Sequence, residues 1–180
     1  LTSGDNVRFN GAVELQGGVT ITTNFNDSTN AADQALGGNI LFTDNATINS
    51  QGDGTDVSED NDLRLLAGTG NISFNADIGN RANAGDFNGQ LGDFVVENTT
   101  GSVTFGGADV EDTPADLGPV NFVRTNGIID IGQDTVDSGA TSDVVGGIFL
   151  NGGNNTADTT LRILTSGDNV RFNGAVELQG

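Results

Sequence analysis

LRLLAGTGNISFNADI, residues 63–78, carries the pattern that decides the fold. Leu63, Leu65, Ile72, Phe74, Ala76 and Ile78 alternate with Arg64, Ser73, Asn75 and Asp77. A period of two is the mark of a strand with one buried face. Gly68, Gly70 and Asn71 interrupt the alternation with residues suited to a tight turn. The two-strand pattern returns without gaps at a shift of 31 as Phe94–Val96 with Val103–Phe105. It returns at 57 as Val120–Phe122 with Ile129–Ile131, and at 98 as Leu161–Ile163 with Val170–Phe172. Gly38–Phe42 repeats the second strand, with Val19–Ile21 as its first strand and a long insertion between them. A third short segment follows the second strand at Ala12–Leu15, Ala46–Ile48, Ala76–Ile78 and Ala108–Val110.

A longer repeat encloses this one. LTSGDNVRFNGAVELQG, residues 1–17, returns letter for letter as residues 164–180, an offset of 163. The second-strand positions 7, 40, 72, 103, 129, 148 and 170 close on themselves over that offset. Position 148 fits a first strand as well as a second. The expected organisation is one tandem unit over residues 1–163 and the start of an identical unit over 164–180. Repeats of this size cannot bury an apolar face alone and gain a core by stacking.

The fold class expected is therefore all-β, a parallel β-helix or β-solenoid with right-handed winding and about six coils per unit. Equivalent residues of neighbouring coils would lie one strand spacing apart, about 4.8 Å, so a unit would advance roughly 30 Å. Phe9, Phe42, Phe74, Phe105 and Phe172 would form an internal ladder, interrupted by Ile131. Asn24–Leu36, Asn49–Asn61 and Asn80–Gln90 are polar and would leave the coils as surface loops. A tandem array of β-sandwich domains is the alternative. The gap-free recurrence speaks against it, because sandwich strands need not resemble one another.

Composition excludes several functions. The chain has a formal net charge of −19, with Arg as its only cation, so nothing offers a basic footprint to nucleic acid. Anionic membrane surfaces are disfavoured for the same reason, and no apolar run is long enough to span a bilayer. Without Cys there is no disulfide scaffold and no thiolate chemistry, and without His there is no Ser-His-Asp triad. The 25 acidic residues guarantee carboxylate pairs, so such pairs do not indicate a glycosidase. Arg64 and Arg162 fall on the same coil position in this reading, which suits a structural face better than a unique catalytic base. The chain is read as no enzyme. A polysaccharide-processing β-helix is the remote alternative.

The acidic run Asp53, Asp56, Glu59, Asp60 and Asp62 is the leading candidate site, ahead of a weaker cluster of Asp109, Glu111, Asp112 and Asp116. Oxygen ligands crowded in a Gly-containing loop suit Ca²⁺, although the spacing is not that of an EF-hand. A solvated polar loop in an acidic protein explains the same run. The cofactor expectation is thus none, or Ca²⁺ at these five residues in a calcium-dependent extender repeat.

AGTGNISFNADIG (residues 67–79) and TTGSVTFGGADV (residues 99–110) resemble the large bacterial β-strand-repeat exoproteins, including filamentous-haemagglutinin-like adhesins. The resemblance implies a secreted or surface-anchored stalk, filament or sheath, engaged in adhesion or cell–cell contact. It implies no catalytic residues. The expected partners are adjacent identical repeats or subunits stacked end to end, together with surface glycans or other cells. The expected location is extracellular.

Overall fold

A computed structural model describes residues 4–23, 37–51, 60–79, 89–97, 99–106, 122–133, 144–151 and 161–179. These residues are all β, with no helix among them. In chain order the strands are β1 (Val7–Phe9), β2 (Val13–Leu15), β3 (Val19–Thr22), β4 (Ile40–Phe42) and β5 (Ile48–Ser50). Then come β6 (Leu63–Leu66), β7 (Ile72–Phe74), β8 (Phe94–Glu97), β9 (Val103–Phe105) and β10 (Phe122–Thr125). The last are β11 (Ile129–Gln133), β12 (Val144–Asn151), β13 (Arg162–Thr165), β14 (Val170–Phe172) and β15 (Gly174–Gln179).

Every strand pair is parallel. Sheet A has the order β1-β4-β7-β9-β12-β15, and sheet C has the order β3-β6-β8-β11-β14. Sheet B is the pair β2-β5 and the pair β10-β13, joined through bridges from Ile78 to Ile48 and to Val123. Among the described residues the visits run A, B, C and then A again along the chain. Each circuit brings a strand beside the one laid down in the circuit before. Parallel neighbours cannot be joined by a hairpin and need a crossover. Here the chain visits the other two sheets before it returns to the first.

Apolar residues of every strand except β15 meet in one core. Ile40, Phe42, Ile48, Leu63, Leu65, Ile72, Phe74 and Ile78 are each at most 1% exposed. Phe9, Phe42, Phe74 and Phe105 stack in succession on sheet A, with centroids 4.7, 5.3 and 5.0 Å apart and rings within 14° of parallel. That spacing is the strand spacing itself. Phe94 of sheet C meets this stack edge-on, 5.5 Å from Phe74.

Several strand assignments from the sequence change. Ile129–Ile131 and Val170–Phe172 belong to sheet C beside Phe94–Val96, not to sheet A. The strand over Phe122–Thr125 lies in sheet B against Arg162–Thr165, so neither segment is a first strand. Position 148 is the second-strand residue of its circuit, since Ile148 pairs with Val103. The aromatic ladder therefore ends at Phe105 and passes to Leu150, whereas Ile131 and Phe172 pair with each other elsewhere. Strand triplets of one alternation fit any of the three sheets, and the variable loops hide which one is meant. Among the described residues, the strands between residues 7 and 170 visit sheet A five times and end in sheet C, a span of four and two-thirds circuits by sheet order against the six coils expected. Val19–Thr22 is a sheet C strand as expected, and Ala12–Leu15, Ala46–Ile48 and Ala76–Ile78 supply sheet B. The expected segment Ala108–Val110, Pro114, Pro119 and most of the three polar insertions lie outside the described residues.

Candidate functional site

The residue just before a strand does recurrent work in this fold. Asn6 and Asn39 precede β1 and β4, and each side-chain Oδ1 accepts the backbone N–H of the equivalent residue one circuit on. These are Asn39 N–H at 2.8 Å and Asn71 N–H at 2.9 Å. Asn71 continues the series to Ser102 N–H at 2.9 Å. In sheet C the same place is held by Asp62 and Asp93, which accept from Asp93 N–H at 2.8 Å and Ile128 N–H at 3.0 Å. In sheet B Asp77 accepts from Phe122 N–H at 3.1 Å. Each link satisfies a backbone donor at a corner, where the sheet ladder begins. Asn or Asp directly before β1, β4, β6, β7 and β8 was the signal available in the sequence, and alternation alone passes over it.

Close approach of the backbone sets the opposite requirement at the corners of sheet A. A Cβ on Gly70 would stand 2.1 Å from Gly38 O, and one on Gly101 would stand 2.2 Å from Gly70 O. Hydroxyls close the same corners: Thr23 Oγ1 donates to Gly38 O at 2.6 Å and Thr99 Oγ1 to Gly70 O at 2.8 Å.

Of the five acidic residues singled out for Ca²⁺, Asp53, Asp56 and Glu59 lie outside the described residues. Asp60 and Asp62 are described and are both engaged. Asp60 Oδ2 accepts from Asn126 Nδ2 at 2.5 Å, two circuits away in the chain. Partial burial pushes the Asp60 carboxyl above its ordinary pKa, and the Asn126 bond pulls the other way. Asp62 belongs to the sheet C corner series. Among the described residues no three acidic side chains gather as a metal would require.

Ion pairs lie on sheet C. Arg64 Nε and Nη2 both bind Glu97 Oε1. Arg171 holds Asp130 with two bonds, Nε to Oδ1 at 2.9 Å and Nη2 to Oδ2 at 2.6 Å. Hydrogen bonding and then the charge of Asp130 favour the protonated guanidinium of Arg171 still further. Asp130 is 4% exposed, so this partner offsets the cost of a desolvated carboxylate. Arg162 does not share a position with Arg64. It lies in sheet B, with its guanidinium 5.7 Å from the Phe122 ring centroid.

Among the described residues, β1, β2 and β3 are the first strands of the three sheets and β13, β14 and β15 the last. Among the described residues no helix is long and apolar enough to cross a membrane. No family model, no curated protein and no solved structure matches the chain.

Proposed function

We propose that the chain is a segment of a structural β-solenoid, a right-handed coil of three parallel sheets that forms the stiff backbone of an extracellular stalk, filament or sheath. The observation that carries this reading is the unbroken A–B–C order of strand visits, with the same side-chain links repeated circuit after circuit. Inter-circuit hydrogen bonds and a continuous apolar core give such a stack its stiffness. In this reading residues 1–163 are one tandem unit and 164–180 begin the next, adjacent identical repeats being the first partner. The acidic outer surface keeps rods apart and soluble. The repeats provide mechanical length and display for adhesion or cell–cell contact, and no catalytic step is assigned to them.

Electron microscopy of the native particle tests this. The expected image is a thin fibre with strand spacing of about 4.8 Å along its axis and units about 22 Å apart, from four and two-thirds circuits. Compact isolated particles would overturn the reading. Melting with and without EDTA separates it from the calcium-dependent extender. Because Asp60 and Asp62 already have protein partners, the melting temperature is expected not to move.

A further inference from the structure

The 17-residue repeat is built into the fold twice, and its two copies lie in different sheets. In the first, Val7–Phe9 is β1 of sheet A and Val13–Leu15 is β2 of sheet B. In the second, Val170–Phe172 is β14 of sheet C, and the VEL at residues 176–178 lies within β15 of sheet A. Both strands of the segment have moved back by one sheet. Specific contacts fix the second setting: Val170, Arg171 and Phe172 are in register with Ile129, Asp130 and Ile131, and Arg171 grips Asp130.

From this we infer that successive identical units of the array are each turned back by one sheet, a third of a turn about the axis. A given strand then passes from sheet A to C to B, and returns to A only in the fourth unit. The inference rests on the tandem solenoid reading and adds the phase of its repeat.

The ladders fix the count of circuits. In sheet A each of β1, β4, β7, β9, β12 and β15 is in register with the next. In sheet C the same holds for β3, β6, β8, β11 and β14. Paired neighbours stand one strand spacing apart, so no further strand fits between them. From Val7 in sheet A to Val170 in sheet C the chain therefore completes four circuits and two-thirds of a fifth. A unit that is not a whole number of circuits must change phase each time it recurs.

The segment fits both settings because its inward and outward positions are kept while the sheet is changed. Val7 and Phe9 are in register with the buried Ile40 and Phe42, and Val170 and Phe172 with the buried Ile129 and Ile131. The same Asn-Gly-Ala link turns the corner from A to B after Phe9 and the corner from C to A after Phe172. What changes is the polar partner. Arg8 Nε donates to Asn10 Oδ1 at 2.6 Å, whereas Arg171 Nε donates to Asp130 Oδ1 at 2.9 Å and Asn173 Nδ2 to Gly132 O at 3.0 Å. An array in this phase carries each surface feature on three sides in turn. The Arg64–Glu97 pair, on sheet C in this unit, falls on sheet B in the next, so the rod displays its features all round rather than along one face.

Helical reconstruction of the native fibre measures the rotation between successive units. A rotation near a third of a turn for each rise of about 22 Å is expected, with equivalent views recurring about every 67 Å. A rotation near zero overturns the turn while leaving the rod intact, whereas compact particles overturn the solenoid reading and the phase with it. The placement from which the phase is read is tested in this chain alone, by unfolding Asp130→Asn, Arg171→Gln and the double variant. With Arg171 seated on sheet C the two changes are coupled. The double variant should then be roughly tenfold less destabilised, in its unfolding constant, than the product of the two single effects. Independent effects would take Arg171 away from Asp130 and overturn the inference, whether or not a fibre is seen.

Discussion

Sheets A and C carry the same number of circuits through the middle of the molecule but are held together differently. Sheet A repeats the same residues over several successive circuits: Phe inside from β1 to β9, Asn before β1, β4 and β7, and Gly at the corners before β4, β7 and β9. Sheet C varies its inward residues, Val19, Leu63, Phe94, Ile129 and Val170, and uses carboxylates at the entries and ion pairs on the strands. Sheet A stacks like on like through its middle, whereas sheet C mixes its neighbours throughout. Both take in a repeated strand at their last position: VRF, first met in sheet A, ends sheet C as β14, and VEL, first met in sheet B, ends sheet A within β15.

The sharpest test of this contrast removes a ring from the stack. Phe74→Ala takes away a fully buried ring that touches Phe42, Phe94 and Phe105, and should cost about 3–5 kcal/mol in denaturant titration. Phe94→Ala, at the edge of the same stack, should cost less; an equal loss would show that stacking adds nothing beyond burial. Next in size is Gly101→Ala, which drives a methyl into the Gly70 backbone and should lose about 1–3 kcal/mol. Gly127→Ala, at the corner before β11, meets the Asp93 Oδ1 at 2.0 Å, a side-chain end that can move at the cost of its bond from Ile128 N–H. A smaller fall in melting temperature is expected there, and the reverse order would erase the distinction between the two corners.

Smaller again are the entry residues. Asn71→Ala leaves Ser102 N–H without its oxygen and should cost about 1–2 kcal/mol. Asp93→Asn keeps an acceptor for Ile128 N–H while removing one charge from a chain of −19, so its melting temperature should hardly change. A large loss would mean that sheet C needs the charge itself. The smallest effect concerns Asp60. Its pKa is raised on folding, so its contribution is favourable below the ordinary Asp range and is lost as pH rises through the folded value. Asp60→Asn should therefore raise the melting temperature slightly at neutral pH, with the gain vanishing on acidification. A gain that persists at low pH would rule out ionisation as its cause.

The contrast also explains what could be read beforehand. Strand existence was legible nearly everywhere, because alternation such as Leu63, Leu65, Ile72 and Phe74 is a local property. Sheet A was legible further, since its Phe residues mark the register of four successive circuits. Ile129 and Val170 were misplaced because their triplets satisfy the same alternation in sheet C. Nothing local distinguishes the sheets once the loop before a strand changes length. The acidic run was legible as chemistry but not as geometry. Asp60 and Asp62 turn out to bond Asn126 and Asp93, partners 66 and 31 residues away.

The entry residues carry one more consequence. In all three sheets the side-chain oxygen of an earlier circuit accepts the N–H of a later one. The arrangement is vectorial: a finished circuit exposes the acceptor that selects where the following strand must begin. Growth in that direction is templated, while growth the opposite way must order the acceptor and the donor together. A chain that emerges from its N-terminal side thus meets a prepared start at β4 and at β7 through β11, and at these strands its order of synthesis matches the direction in which its fold can be copied forward.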